Sequence, residues 1–175
     1  YGREMFETWY KMTAMLQSIV SRNVRPVETA VVSVTQIHAG DAYNVIPQTA
    51  RLSGTVRAFS SDVMTLIGKN MARVAEGVAS GFGARATTDY RPIFAPLVND
   101  PQEADFAAEI CSEIAGAGSV KRDPALIMAS EDFSYVLQEV PGALVFVGAA
   151  PDSGPLPLHA DNAIFDDAVL PLQAQ

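Results

Sequence analysis

Two extended runs joined by a short polar connector are the feature that most constrains the fold of this chain. Residues 31–37 are rich in Val and Thr, whereas residues 50–59 alternate between apolar or small and polar side chains. Such alternation is typical of a strand with one face buried. The faces are Leu52, Gly54, Val56 and Ala58 on one side, and Arg51, Ser53, Thr55 and Arg57 on the other. The connector contains Gly, Asp, Asn and Pro, which favour turns, so we expect two strands joined by a loop.

Helical patterns flank these two strands. Apolar residues recur at helical spacing from Met12 to Val20 and again from Val63 to Val78, with Ser60 as the expected N-cap of the second helix. Residues 85–93 are interpreted as a third strand. The order helix, strand, strand, helix, strand becomes a ferredoxin-like sandwich if one strand is added upstream. We therefore predict an incomplete α+β unit and infer that the parent protein continues upstream.

The second half has a different pattern of expected helices and strands, and we expect a domain boundary at residues 97–101. Asp100 as N-cap, Pro101 at the first helical position and Glu103 at the third predict the start of a helix there. Residues 120–121 are a candidate short strand, and a helix is expected over 130–140. Residues 143–147 are apolar on both faces, as a strand of a parallel sheet requires, and another helix is expected from about Ala163. The prediction for this half is an α/β domain.

Composition excludes several classes of partner. The chain has 175 residues, a formal net charge of -8 and basic residues scattered along its length, which disfavours binding to nucleic acid or to anionic membranes. No apolar run reaches membrane-spanning length. The single cysteine, Cys111, cannot form an intramolecular disulfide and lies in a helical pattern. These features predict a soluble protein of the cytoplasm.

His159 is the best candidate for a metal ligand. It lies in a loop between the apolar run 143–147 and the helix expected near Ala163, where open α/β sheets place functional groups. A loop histidine that makes a single hydrogen bond is the alternative. The neighbouring acids Asp161, Asp166 and Asp167 are better explained by a helix start, where carboxylates stabilise the helix dipole.

Other polar side chains are candidates for binding a ligand, and three of them, His38, Asn44 and Arg57, are expected to cluster around the connector. Arg57, on a rigid strand, is suited to bidentate capture of a carboxylate, or it is simply exposed to solvent. Asn44 either holds a carboxylate or carbonyl with its amide, or adopts a left-handed turn conformation. His38, at the end of its strand, either donates to a developing oxyanion or caps the turn. Ser130 and Glu131 are most simply interpreted as the N-cap and first turn of a helix.

Five short motifs occur together in a recognisable order. They are Ile37-His-Ala-Gly40, Asn44-Val-Ile-Pro47, Gly54-Thr-Val-Arg57, Ser130-Glu-Asp-Phe133 and the lone His159. In this order and spacing the chain resembles the M20 metallopeptidases over residues 11–170, most closely their branch of hippurate and N-acyl-amino-acid hydrolases. The resemblance implies that residues 1–97 are part of a ferredoxin-like lid that mediates homodimerisation. Residues 98–175 would then be the C-terminal part of a zinc-peptidase-like α/β catalytic domain.

The resemblance also implies roles for individual residues. His159 would be the last metal ligand, Asn44 and Arg57 would bind the carboxylate end of a small substrate, and Ser130 with Glu131 would line the active site. His38 is a weaker match, because the family's oxyanion histidine belongs to the first strand of the lid. The cofactor implied is a pair of divalent ions, Zn, Mn or Co.

The chain departs from the family pattern in its ligands. The family's metal site also needs a Cys or Asp, two further histidines and an adjacent pair of glutamates, whereas this chain has only two histidines and no Glu-Glu pair. We therefore expect part of an amidohydrolase, inactive on its own, that lacks the N-terminal portion. The alternative is a non-catalytic ferredoxin-like module that binds a ligand or dimerises.

Overall fold

The computed structural model describes residues 2–151, 153–154 and 159–174. The chain divides into two compact units. The first comprises Tyr1–Pro96 together with Met128–Ser130, and the second comprises Leu97–Ile127 together with Glu131–Gln175.

The first unit is a β-hairpin covered by two helices. Its elements are α1 (Gly2–Asn23), β1 (Ala30–His38), β2 (Arg51–Ala58) and α2 (Ser61–Gly81). The two strands are antiparallel and form a two-stranded sheet. Helix α1 packs on α2 and β1, and α2 packs on β2. The two helices and two strands predicted for residues 12–78 are therefore confirmed.

The core of the first unit lies between the helices and the hairpin. The buried side chains include Leu16 and Ile19 of α1 and Ile67 of α2, with Ile19 and Ile67 fully buried. From β2, the side chains of Leu52, Val56 and Ala58 pack against this core. The predicted apolar face of β2 therefore faces the helices, while Arg51 and Arg57 are exposed.

A bulge fixes the register of the hairpin. Ala30 pairs with Ala58 and His38 pairs with Arg51, but the register shifts between Val34 and Gln36. Beside this bulge, a Cβ added to Gly54 would lie 2.0 Å from the carbonyl oxygen of Ser33. The two backbones approach so closely here that only glycine fits at position 54.

Helix α2 begins after its predicted N-cap and ends at Gly81. The Ser60 side chain accepts a hydrogen bond from the backbone N–H of Val63 at 3.5 Å, as an N-cap should. After Gly81 the chain turns, with Gly83 in the left-handed region at φ 67°. Glycine adopts this conformation without strain, so the helix ends cleanly.

The prediction of a strand at 85–93 was wrong in part. Ala84 and Ala86 pack against the core of the first unit, but the segment forms no ladder with β1 or β2, which pair with each other. A strand needs a neighbour for its backbone hydrogen bonds, and the described residues supply none here. The segment therefore packs on the first unit without forming a strand.

Tyr90 belongs to this segment and lies against α2. A Cβ on Gly68 would come within 2.5 Å of the Tyr90 ring, so Gly68 makes room for it. The Tyr90 hydroxyl is buried and has no hydrogen-bond partner among the described residues. Burial raises the pKa of Tyr90 above its usual 10.0, because desolvation disfavours the phenolate.

The second unit contains short helices. They are α3 (Pro101–Ala115), α4 (Phe133–Glu139) and α5 (Leu170–Gln173), with 3₁₀ turns at Ala117–Ser119 and Asp167–Val169. The start of α3 is as predicted: the Asp100 carboxylate accepts from the backbone N–H of Gln102 at 2.9 Å and of Glu103 at 3.2 Å. None of the helices described is long and apolar enough to cross a membrane.

Four other predictions for this half were wrong in whole or in part. Residues 120–121 and 143–147 form no strand among the described residues, and Phe146 is 73% exposed. Helix α4 begins at Phe133, so Ser130 lies outside it, and its N-cap is Asp132, whose side chain makes no capping bond. The helix expected near Ala163 begins four residues later, as a 3₁₀ turn capped by Asp166. A buried parallel strand requires flanking strands, and none is described around 143–147.

Candidate substrate-binding site

Arg57 is the best-placed cation of the first unit for binding a ligand. The alternation of β2 puts its side chain on the exposed face, away from the core. Its Nη1 donates a hydrogen bond of 2.6 Å to the backbone carbonyl oxygen of Met128, which belongs to the same unit. This bond uses one of the five N–H donors of the guanidinium, so a planar fork of donors remains for an anion.

Met128 was not among the residues singled out from the sequence. Its contribution is a backbone carbonyl, which every residue carries, so side-chain patterns hold no signal for it. Only the proximity of residues 71 positions apart reveals the contact. Ser130, which follows Met128 by two residues, belongs to the same unit and is exposed.

The hairpin register separates Arg57 from the connector. Arg57 pairs with Val31, whereas His38 pairs with Arg51 at the other end of β2. Six residues at the usual rise per residue of a strand amount to about 20 Å. Within one chain, therefore, Arg57 does not join His38 and Asn44 around the connector, and the expectation that these three side chains cluster there was wrong.

The connector forms a shallow concavity of its own. It has a volume of about 400 Å³ and is lined by His38, Asp41, Thr49 and Arg51 among others. Asn44 is exposed within the connector. No non-glycine residue among those described has a positive φ, so the left-handed alternative for Asn44 is wrong.

Glu131 lies in the second unit and is half-buried. Its Oε1 accepts a hydrogen bond of 3.1 Å from the backbone N–H of Asp132, and its carbonyl oxygen accepts one from the N–H of Ser134. The carboxylate thus stabilises the turn that leads into α4. This contact restricts the orientations that the carboxylate can adopt.

His159 is exposed and lies in a turn of the second unit. An exposed imidazole can act as one metal ligand. Among the described residues, however, no three His, Cys, Asp or Glu side chains come together to hold an ion. These residues therefore do not form a metal site by themselves, and His159 fits one only as a single contributor.

Comparison with known proteins agrees with the family resemblance seen in the sequence motifs. The family model of peptidase family M20/M25/M40 matches residues 3–175. N-acetyldiaminopimelate deacetylase of Streptococcus suis is 40% identical over 157 residues, covering 89% of this chain and 40% of that protein. N-acetylcysteine deacetylase of Bacillus subtilis is 34% identical over 160 residues, covering 91% of this chain and 40% of that protein.

The fold is also found in solved structures. A dinuclear metal-binding M20 peptidase of Bacillus subtilis superimposes with a TM-score of 0.75 at 29% identity, covering 95% of this chain and 42% of that one. The chain thus spans less than half the length of these relatives. The match over residues 3–175 shows that this chain belongs to the peptidase family M20/M25/M40.

Proposed function

We propose that this chain is part of a metal-dependent amidohydrolase that cleaves the amide bond of N-acyl amino acids. The family match over residues 3–175 carries this proposal. The relatives named above are deacetylases of N-acetyldiaminopimelate and N-acetylcysteine. Both names describe amino acids with an acetylated nitrogen, and hippurate is a further small substrate of this chemical class.

The substrates in this class share a carboxylate, and Arg57 is our candidate for its partner. The guanidinium is presented from a strand, is exposed, and keeps donors free beside its bond to Met128. Two parallel N–H bonds to a carboxylate give both affinity and orientation. Asn44 would add a neutral amide contact. Because the hairpin register keeps Asn44 far from Arg57 in one chain, the two would serve either different parts of a substrate or sites shared between two chains.

In the whole enzyme, His159 would contribute one ligand to a pair of divalent ions, which we propose to be Zn, Mn or Co. Bound ions of this kind supply a Lewis acid and an activated water for hydrolysis. Support comes from a structural relative described as a dinuclear metal-binding peptidase. Ser130 and Glu131 would line the same site, and His38 would be a hydrogen-bond donor near the connector.

Residues 1–97 would be part of a lid and dimerisation domain, and residues 98–175 part of the catalytic domain. The exposed β-branched side chains of β1, Val31 at 40% and Ile37 at 52% exposure, support a contact surface on the first unit. Strand β1 pairs only with β2 among the described strands, and an unpaired strand edge is a template for association. Light scattering on the whole protein would test the dimer, with Ile37→Lys expected to weaken it and Val27→Lys, outside β1, expected to leave it intact. The cytoplasmic location stays a prediction from the single cysteine.

Kinetics of the whole enzyme test the proposed activity. We expect release of acetate from N-acetyl amino acids, loss of this activity on treatment with a chelator, and recovery when divalent ions are added back. Arg57→Ala should lower kcat/KM by about 10–100-fold, since hydrogen bonds to charged groups are worth roughly 1.5–3 kcal/mol. Arg51→Ala, which removes the same charge from the same face of β2, is the matched control.

The substrate can also be varied. When the carboxylate is replaced by a neutral amide, kcat/KM should become insensitive to Arg57→Ala. If the whole enzyme fails to hydrolyse any N-acyl amino acid with metal present, the proposed activity is wrong. If it is active but Arg57→Ala has no effect, only the assignment of Arg57 is wrong.

A further inference from the structure

The hydrogen bond between Arg57 and Met128 ties an exposed side chain to a distant segment of the chain and leaves one edge of the guanidinium free. The donor is Nη1, and the acceptor is a backbone carbonyl 71 residues away in the chain. A guanidinium offers two edges for bidentate binding, one formed by Nη1 and Nη2 and one formed by Nε and Nη2. A bond at Nη1 leaves the Nε–Nη2 edge complete, whichever of the two N–H groups of Nη1 donates.

The backbone carbonyl restricts the orientation of the arginine. A free arginine on a strand samples many rotamers, and fixing them on binding costs entropy. An arginine already fixed at Nη1 pays part of that cost before the ligand arrives, which is the usual basis of preorganisation. Because a carbonyl is neutral, the positive charge stays uncompensated and available to an anion.

Arg51 shows what the contact adds. It lies on the same exposed face of the same strand, six residues earlier, and carries the same charge. No long-range bond comparable to that of Arg57 holds its guanidinium among the hydrogen bonds found in the described residues. Two otherwise equivalent arginines thus differ in their attachment to the segment Met128–Ser130.

We propose that the backbone carbonyl of Met128 is a positioning group that holds Arg57 by Nη1 and directs its Nε–Nη2 edge to a ligand carboxylate. The second half of this proposal rests on the proposed function, whereas the first does not. The ligand class is a small molecule with a free carboxylate. The segment Met128–Ser130 would thereby act together with β2 in binding the ligand.

Nuclear magnetic resonance can observe this carbonyl directly. The sequence contains two Met-Ala pairs, Met71-Ala72 and Met128-Ala129. Labelling Met with ¹³C at the carbonyl and Ala with ¹⁵N gives one correlation peak for each pair. The Met71 carbonyl lies inside α2 and serves as an internal reference in the same spectrum.

The first arm of the experiment needs no ligand. Arg57→Leu should shift the Met128 peak upfield, because its carbonyl loses a charge-assisted donor, and should leave the Met71 peak unchanged. Arg51→Leu, the matched control, should move neither peak. An unmoved Met128 peak in Arg57→Leu, or an equal shift in Arg51→Leu, would overturn the positioning contact whatever the enzyme does.

The second arm adds N-acetylglycine to the wild-type chain, with N-acetylglycinamide as the uncharged control. The Nε–H signal of Arg57, assigned by its loss in Arg57→Leu, should shift with the acid and not with the amide, while the Met128 peak keeps its position. Movement of the Met128 peak to its position in the variant would mean that the carboxylate displaces the carbonyl, contradicting the proposed geometry. An Nε–H signal that is unmoved at every acid concentration would overturn the carboxylate half and leave the first arm standing.

Discussion

The side-chain amide of Asn99 exchanges two hydrogen bonds with the backbone of Leu144. Nδ2 of Asn99 donates to the Leu144 carbonyl oxygen at 3.0 Å, and Oδ1 accepts from the Leu144 N–H at 2.9 Å. Next to this pair, the Asp100 N–H donates to the carbonyl oxygen of Gly142 at 2.9 Å. The amide thus satisfies backbone groups of a segment that has no neighbouring strand among the described residues.

Asn99→Ala should destabilise the second unit. It leaves the N–H and carbonyl of Leu144 without their partners, at a cost of about 1–3 kcal/mol. The Leu144 amide should exchange its hydrogen roughly tenfold faster for each 1.4 kcal/mol lost, as measured by hydrogen exchange. Gln102→Ala, at an exposed position on α3, is the control and should leave this exchange rate unchanged.

Gly54→Ala should destabilise the hairpin. The new Cβ would lie 2.0 Å from the Ser33 carbonyl oxygen, and a backbone atom cannot move aside cheaply. We expect a loss of about 1–3 kcal/mol in the free energy of unfolding, the usual cost of overpacking, measured by urea titration.

Gly77→Ala is the matched glycine substitution and should have the opposite sign. Gly77 lies within α2, and a Cβ there meets nothing within 4 Å. Alanine is favoured over glycine inside a helix by about 0.5–1 kcal/mol, so the chain should become more stable. Equal effects of the two substitutions would contradict the close approach at Gly54.

The two N-caps should differ in strength. Asp100 accepts from two backbone N–H groups at 2.9 and 3.2 Å, whereas Ser60 accepts from one at 3.5 Å. Loss of an N-cap lowers the free energy of unfolding by roughly 0.5–2 kcal/mol. Within this range, Asp100→Ala should therefore be more destabilising than Ser60→Ala. Asp100→Asn retains the capping oxygen and should recover most of the loss. Thermal unfolding followed by circular dichroism measures all three variants.

Tyr90 should make stability depend on alkaline pH. Its pKa is raised in the folded chain by burial, so the unfolded chain releases this proton first as the pH rises past 10.0. In the interval between the unfolded and folded pKa values the folded chain binds more protons, and stability falls as pH increases. Tyr90→Phe should remove this component and, because the hydroxyl has no described partner, cost little at neutral pH. Urea titrations of both proteins from neutral to alkaline pH measure the difference, and parallel curves would show that Tyr90 does not contribute.

Local patterns in the sequence were sufficient for helices α1 to α3 and for the hairpin. The spacing of Leu16, Ile19 and Ile67 predicted the buried helix faces, Ser60 and Asp100 marked two helix starts, and the alternation from Arg51 to Ala58 predicted which side of β2 is buried. These features depend on residues a few positions apart, so the sequence displays them directly. The motifs that run from Ile37 to His159 likewise indicated the family, because each is a short run of side chains in a fixed order along the chain.

Strand formation and the composition of the site were decided by distant contacts. Residues 85–93 and 143–147 have the side chains of strands but no described neighbour with which to exchange backbone hydrogen bonds, whereas β1 and β2 have each other. The register of that hairpin places Arg57 far from His38 and Asn44, and its side chain contacts Met128 instead. By itself the sequence determined the local elements and the family, because both are written in side chains at short spacing. Only the tertiary structure decided which strands pair and what Arg57 contacts, because backbone groups look alike in every residue and acquire partners only when distant segments meet.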